Sequence, residues 1–405
     1  MNTGDTAWLL AASALVLFMT PGLAFFYGGL VRGRNAVSTI MYSFMTIAVV
    51  SVVWVLWGYS LAFGPGGDFI GDLSAVGLAG IGLDTMWGTT GIPTLLFVTF
   101  QMMFAIITPA LITGALVERF KFTTFLVFLV LWITFVYAPI AHWVWADTGW
   151  LFKMGALDFA GGTVVHINSG VAALVGAMII GKRRLPGLEP HNVPFVMLGA
   201  AMLWFGWFGF NGGSALASNG QAVSAFLVTN TAAAAGALTW GILSQIFNHR
   251  MSAVGVATGA VAGLVAITPA SGYVGVMGAL IIGIGVGVLG YAAVLLRPKL
   301  GLDDSLDVFA VHGVGGMWGA LATGVFAVAA IGKTSGLLEG NSGQLGIQFV
   351  AVIATLLYSG IVSAIIFKVL DVFPGLGLRP NQSDEAQGLD ITAHGERAYV
   401  QDGAD

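Results

Sequence analysis

Asp158-Phe-Ala-Gly-Gly-Thr-Val-Val-His166-Ile-Asn-Ser-Gly170 sets an aspartate and a histidine into a stretch that otherwise reads as membrane-spanning. A second stretch, Asp304-Ser-Leu-Asp-Val-Phe-Ala-Val-His312-Gly-Val-Gly-Gly316, repeats its frame: an Asp, seven residues ending in Val, a His, three residues and a Gly. Ionisable groups are costly in hydrocarbon, so two histidines in matched intramembrane frames are the first candidates for a functional site.

The surrounding composition bounds the class. Of 405 residues, 57% are hydrophobic and 8% charged, against roughly 25% charged in a soluble domain. The chain therefore reads as a polytopic membrane protein without a large soluble domain. No nucleic-acid partner is expected. With no cysteine, disulfides, thiolate metal sites and a cysteine nucleophile are excluded. The first residues, Met1-Asn-Thr-Gly-Asp5-Thr, carry no Lys or Arg, so the first apolar helix is expected to stay in the membrane rather than act as a cleaved signal.

A span needs about 20 apolar residues. Eleven are predicted, near 7–31, 38–63, 91–116, 122–141, 160–181, 193–212, 222–247, 253–270, 274–296, 306–328 and 345–370. With the N-terminus outside, all of the 15 Lys and Arg residues except Lys153 and Lys333 fall on the inner side. The positive-inside rule thus predicts N-terminus out and C-terminus in. Residues 1–371 are the membrane domain, with repeat halves at about 7–181 and 193–328 and an extra helix at 345–370. Residues 372–405 form an inner tail.

The halves are suggested by three echoes in the same order. Phe26-Tyr-Gly-Gly29 matches Phe210-Asn-Gly-Gly213, Ile107-Thr-Pro-Ala110 matches Ile267-Thr-Pro-Ala270, and the Asp–His frames match each other. An offset of five spans is odd, so the second copy runs the opposite way through the membrane. Spans 1–5 and 6–10 then form an inverted repeat, which places a substrate site near the midplane. His166 enters from the outer face, about six residues or roughly 9 Å deep at 1.5 Å per residue, and His312 from the inner face, about seven residues deep. The two are expected to meet.

Two neutral imidazoles at mid-membrane can donate, accept and pass on a proton. The plainer role is a bridge between helices, which a lone histidine would favour more than a repeated pair does. A shared metal ion is disfavoured: eight residues separate each Asp from its His, about 12 Å along a helix, and no third ligand is nearby. Asp158 and Asp304 read as helix-start caps, and Asp158, on the outer side, also suits cation entry. Phe100, Phe104, Trp145, Trp207 and Phe210 offer either core packing or aromatic faces that hold a cation. Trp143 and Trp150 read as an interfacial belt. Ser214 adds one hydrogen-bond acceptor beside the aromatics.

Taken together, these stretches resemble the ammonium transporter (Amt/Rh) family, on its bacterial and archaeal branch. The resemblance rests on Asp158 to Asn168, Trp207-Phe-Gly-Phe210-Asn-Gly-Gly-Ser214, Asp307-Val-Phe-Ala-Val-His312-Gly, Thr268-Pro-Ala and the tail Gly388-Leu-Asp-Ile-Thr-Ala-His394-Gly-Glu-Arg-Ala-Tyr399. It implies a homotrimer in the cell membrane with one pore per subunit. Trp145, Phe104 and Ser214 then correspond to an outer ammonium recruitment site supported by Asp158. Phe104 and Phe210 look like the gate beneath it. His166, His312 and Thr268 line the pore. No cofactor, metal or enzymatic step is implied. The tail is similar to the segment on which a PII-type signalling protein docks in many members.

The function expected from the resemblance is uptake of ammonium, which leaves its proton at the aromatic mouth and crosses as ammonia while the histidines relay the proton separately. Three rivals stand beside it: an electroneutral channel for ammonia or carbon dioxide, an ammonium sensor acting through its partner, and an intramembrane enzyme, for which no nucleophile is found. Methylammonium is left open as a second substrate.

Overall fold

The structure, a computed structural model, describes residues 1–185, 187 and 189–399. Among these residues the regular secondary structure is all helical, apart from one isolated bridge between Met86 and Pro93 in a loop. Ten helices among the described residues are long and apolar enough to cross a membrane. They are α1 (Thr3–Leu30), α2 (Gly33–Phe63), α3 (Thr94–Leu116), α4 (Phe122–Met154), α5 (Gly162–Ile180), α6 (Val193–Gly213), α7 (Gly220–Asn248), α9 (Val276–Leu300), α10 (Phe309–Phe326) and α11 (Ser342–Val372). Between α7 and α9 lies α8 (Ala253–Ile267), 15 residues long. Two short helices follow α11: α12 (Gln382–Gln387) and α13 (Leu389–His394).

The eighth predicted span, 253–270, is thus only partly helical. At about 1.5 Å per residue α8 is shorter than a bilayer core of about 30 Å. It stops because Pro269 has no N–H to continue the ladder, and residues 268–273 turn instead. The Pro269 carbonyl then accepts the Phe159 amide at 3.1 Å, which docks this turn against the Asp158 segment. Its counterpart, Pro109, remains inside α3. The α4 stretch is helical to Trp145, past the predicted limit at 141, then turns before a short helix at Trp150–Met154.

The helices pack through small residues, as membrane helices do when backbones must approach closely. Elements predicted to be counterparts lie against each other. In the α1–α6 pair, a Cβ on Gly199 would stand 2.3 Å from the Phe26 nitrogen and 2.6 Å from the Gly22 oxygen. In the α5–α10 pair, a Cβ on Gly170 would stand 2.3 Å from the Gly313 nitrogen. This second crossing sits within four residues of each histidine.

The basic end of the bundle is locked by one buried arginine and by partly buried ion pairs. Arg119, with no exposed surface, donates to the carbonyls of Gly181 at 2.8 Å and Asp303 at 2.5 Å and to the Ser305 hydroxyl at 2.7 Å. Arg183 pairs with Asp303 at 2.7 Å and Arg32 with Glu118 at 2.6 Å. Burial pushes the Asp303 carboxyl up, but its bonds from Arg183 and the charge of Arg119 override this and hold it at about 2. The tail is fastened to the same end. Asp390 of α13 caps α2 by accepting the Val37 and Ser38 amides at 3.1 and 2.8 Å, and Asn35 accepts the Leu389 amide at 2.8 Å. Residues 400–405 of the predicted tail lie outside the described residues.

The α1–α6 crossing has a direct test. Gly199→Val is expected to lower the melting temperature of the detergent-solubilised protein, because the added carbons meet backbone that cannot retreat. Overpacking of this kind costs about 1–3 kcal/mol. An unchanged melt by fluorescence-detected size exclusion would contradict the close contact.

Candidate conduction site

The half-helices that carry the histidines begin alike. Asp158 lies in an unwound segment that ends at Gly161, whose φ of 115° belongs to glycine. Its Oδ1 accepts the amides of Gly161 at 3.0 Å and Gly162 at 2.5 Å. Its Oδ2 accepts those of Thr163 at 2.9 Å and Val164 at 3.2 Å, and also the Thr163 hydroxyl. Asp304 likewise accepts the Val308 and Phe309 amides at 3.0 and 2.7 Å. Each carboxylate satisfies first-turn donors that the helix itself leaves free. Asp158 is saturated by five donors and buried. It acts on its surroundings as a held negative charge rather than as a free base.

After each cap the chain makes a π-helical turn, at Gly162–Ile167 and at Phe309–Val314. Such turns carry an extra residue and re-aim side chains, often at functional sites. Here they aim His166 and His312 at each other. The Nδ1 atoms are 3.2 Å apart and the rings stack at 5.3 Å and 24°. One Nδ1 donates and the other accepts, so the two neutral rings are opposite tautomers. The outer ends of the pair are then the Nε2 atoms. That of His166 is buried with no hydrogen-bond partner among the described residues.

A continuous column of rings leads from the other end of the bundle to this pair. Trp145 meets Phe104 edge-on, with centroids 5.7 Å apart and planes at 88°. Phe104 overlaps Phe210 at 4.3 Å and 38°. Phe210 stacks over His166 at 6.0 Å and 23°. Phe104 and Phe210 are 1% and 0% exposed, so the passage is shut between them. Phe100 packs edge-on behind Phe104 at 4.9 Å. Ser214 is half-buried and donates to the Phe210 carbonyl at 2.8 Å, which leaves its oxygen able to accept. The Trp145 indole donates to the Asp158 carbonyl at 2.9 Å, so Asp158 supports this mouth through its backbone. Trp143 and Trp150 instead pack on each other, and Trp143 is bonded to the Phe69 carbonyl at 2.7 Å.

Thr268 touches the column through Trp207. Its hydroxyl accepts the Trp207 indole N–H at 2.8 Å and donates to the Leu264 carbonyl at 2.8 Å. Trp207, so held, stacks on His166 at 5.4 Å and 21°. Beyond the histidines a cavity of about 760 Å³ runs toward the basic end, lined by Phe26, Tyr27, Leu111, Val261 and Val311 and then by Arg183, Arg297 and Asp307. Sequence reasoning missed Tyr27 and Asp307 here. Tyr27 lies within the Phe26-Tyr-Gly-Gly29 echo, but only the fold turns it toward the cavity. Among the described residues no cluster of His, Asp and Glu is arranged to hold a metal ion.

A bundle of apolar helices, a shut aromatic mouth, a buried histidine pair and an apolar cavity beyond them define a membrane channel or carrier for a small hydrogen-bonding solute. Similarity to known proteins narrows that class. The Ammonium Transporter Family model matches residues 7–399, and the chain belongs to that family. The "Ammonium transporter" of Bacillus subtilis (strain 168) is 49% identical over 403 residues, covering 98% of this chain and 99% of that protein. The crystal structure of Saccharomyces cerevisiae Mep2 superposes with a TM-score of 0.90 at 38% identity, covering 100% of this chain and 93% of that one. A structure described as "Sensor Amt Protein" gives 0.88 at 30% identity, covering 96% of this chain and 98% of that one. The protein is a multi-pass protein of the cell membrane in the ammonium transporter family.

The two caps differ in load, which predicts different costs. Asp158→Asn is expected to destabilise the protein more than Asp304→Asn, since it replaces a charged acceptor serving five donors rather than two. Bonds to charged groups contribute about 1.5–3 kcal/mol each. Thermal melts of the two variants in detergent decide the order.

Proposed function

We propose that the chain imports ammonium by binding the cation at the Trp145 mouth, deprotonating it there, and conducting ammonia past the histidines while the proton crosses separately. The observation that carries this reading is the unbroken ring column from Trp145 through Phe104 and Phe210 to the His166–His312 pair. Trp145 and Phe104 offer π faces to a cation and Ser214 offers an acceptor, so ammonium exchanges water for protein contacts. Potassium and sodium gain less, because they donate no hydrogen bond to Ser214. Further in, the apolar wall replaces none of their hydration, a loss of tens of kcal/mol before relaxation. Ammonium avoids that barrier by shedding its proton.

The histidines supply a route for that proton. A proton given up by ammonium to the Nε2 of the ring whose Nδ1 carries a hydrogen drives that hydrogen across the Nδ1 contact and releases one from the far Nε2; both tautomers are then exchanged and must revert before the next proton passes. Net movement of ammonia plus a proton carries charge, so uptake is electrogenic. Asp158 contributes its held negative charge near the mouth and the carbonyl that anchors Trp145. Thr268 keeps Trp207 stacked on His166.

The same reading takes eleven crossings, with α8 as the eighth, the aromatic end outside and the basic end and tail inside. It takes the assembly as a homotrimer with one pore per subunit. The tail, fastened to α2 through Asp390 and Asn35, is the surface on which a PII-type protein would act.

The test is the current across proteoliposomes after an ammonium pulse, with potassium as control. An ammonium-specific current is expected. Internal alkalinisation without current would favour an electroneutral ammonia channel. Neither signal from well-folded protein would favour a sensor. His166→Ala and His312→Ala are each expected to reduce the ammonium-specific current to the level of protein-free vesicles while assembly is retained. Parental current in both variants would exclude the relay.

A further inference from the structure

His142 lies outside the ring column and the cavity and is fully buried. It nevertheless bonds three separate segments. Its Nδ1 is 2.9 Å from the Ala62 carbonyl, in the last turn of α2, where helix-end carbonyls have no partner within the helix. Its Nε2 is 2.7 Å from the Gly67 carbonyl in the outer loop and 3.3 Å from the Thr148 hydroxyl.

The third segment bears on the site. The long part of α4 ends at Trp145, where the Ala146 amide closes the last helical turn on the His142 carbonyl at 3.2 Å, and the turn that follows brings the Thr148 hydroxyl to the His142 ring. There is no room for slack. A Cβ on Gly149 would lie 2.0 Å from the His142 oxygen. Bonds from Trp143 to the Phe69 carbonyl and from the Trp150 amide to the Asp68 carbonyl extend the same seam. Trp145 itself has one other polar anchor, the Asp158 carbonyl. Its ring is therefore oriented from one side by Asp158 and from the other by a turn whose footing is His142.

We propose that His142 is a positioning residue for ammonium recruitment, holding the end of α2, the outer loop and the turn after Trp145 in the arrangement that sets the Trp145 face over Phe104. This rests on the reading of Trp145 as a recruitment group. His142 never touches the substrate, so its loss weakens capture and leaves conduction alone.

The experiment compares His142→Leu, His142→Gln, Trp145→Leu and the His142→Leu/Trp145→Leu double variant by ammonium-dependent current in proteoliposomes. His142→Leu is expected to raise KM by about tenfold, the scale of a lost cation–π contact, with maximal current unchanged. Trp145→Leu is expected to raise KM comparably, and the double variant no further than Trp145→Leu alone. His142→Gln, whose amide can still donate to one carbonyl, is expected to give an intermediate KM, and it carries the test if His142→Leu does not assemble. A parental KM in His142→Gln and His142→Leu, effects that multiply in the double variant, or a loss of maximal current at constant KM would each overturn the proposal. If Trp145→Leu keeps the parental KM, the recruitment reading falls and this inference with it. A raised KM in Trp145→Leu alone removes only the role of His142.

Discussion

In hydrocarbon no water satisfies a polar group, so everything polar in this bundle must be matched within the protein. The arrangement around the two histidines follows from that constraint. Asp158 and Asp304 are tolerable because they answer helix-start amides that would otherwise be orphaned. His166 and His312 are tolerable because each gives the other a partner at 3.2 Å. The carboxylates and imidazoles thus solve one problem together: a helix can begin in mid-bundle only if its start is capped, and its first turns then deliver a histidine to the centre.

The same constraint is met differently at the basic end and beside the cavity. Arg119, Arg183 and Asp303 at the basic end are tied to one another and to neighbouring carbonyls, which fixes the loops between α3, α5 and α10. The Nε2 of His166 has no such partner among the described residues and adjoins the passage. A buried group left unmatched costs free energy, and the cost is sensible where a passing molecule or proton supplies the missing bond. The closed Phe104–Phe210 contact adds the other requirement, exclusion of water and ions from that unmatched group.

Much of this was legible in the residues. Apolar length marked the helices, because a bilayer of fixed thickness imposes a length on them. The matched Asp–His frames marked the pair, because ionisable residues are rare in such helices and a repeat in register is rarer. Cap chemistry was legible for the same reason that it forms, since an aspartate just before a helix has first-turn amides within reach. The limits of α8 were less so: Thr-Pro-Ala recurs in two places, yet Pro109 stays within a helix and Pro269 ends one. Proline removes one donor in both, and packing around the Asp158 segment determines which tolerates it.

The sequence by itself determined an all-helical membrane protein, its family, and the candidate histidines and aromatics, because span length, composition and spacing act locally along the chain. Only the tertiary structure decided that Trp145 rather than Trp143 or Trp150 faces Phe104, that the Thr268 hydroxyl meets the Trp207 indole, and that the His142 ring lies against the turn after Trp145. Those facts depend on π-helical turns that rotate side chains and on glycine crossings that set helices at backbone contact. Neither leaves a periodic trace in one sequence, since each is fixed by atoms from segments tens to hundreds of residues apart.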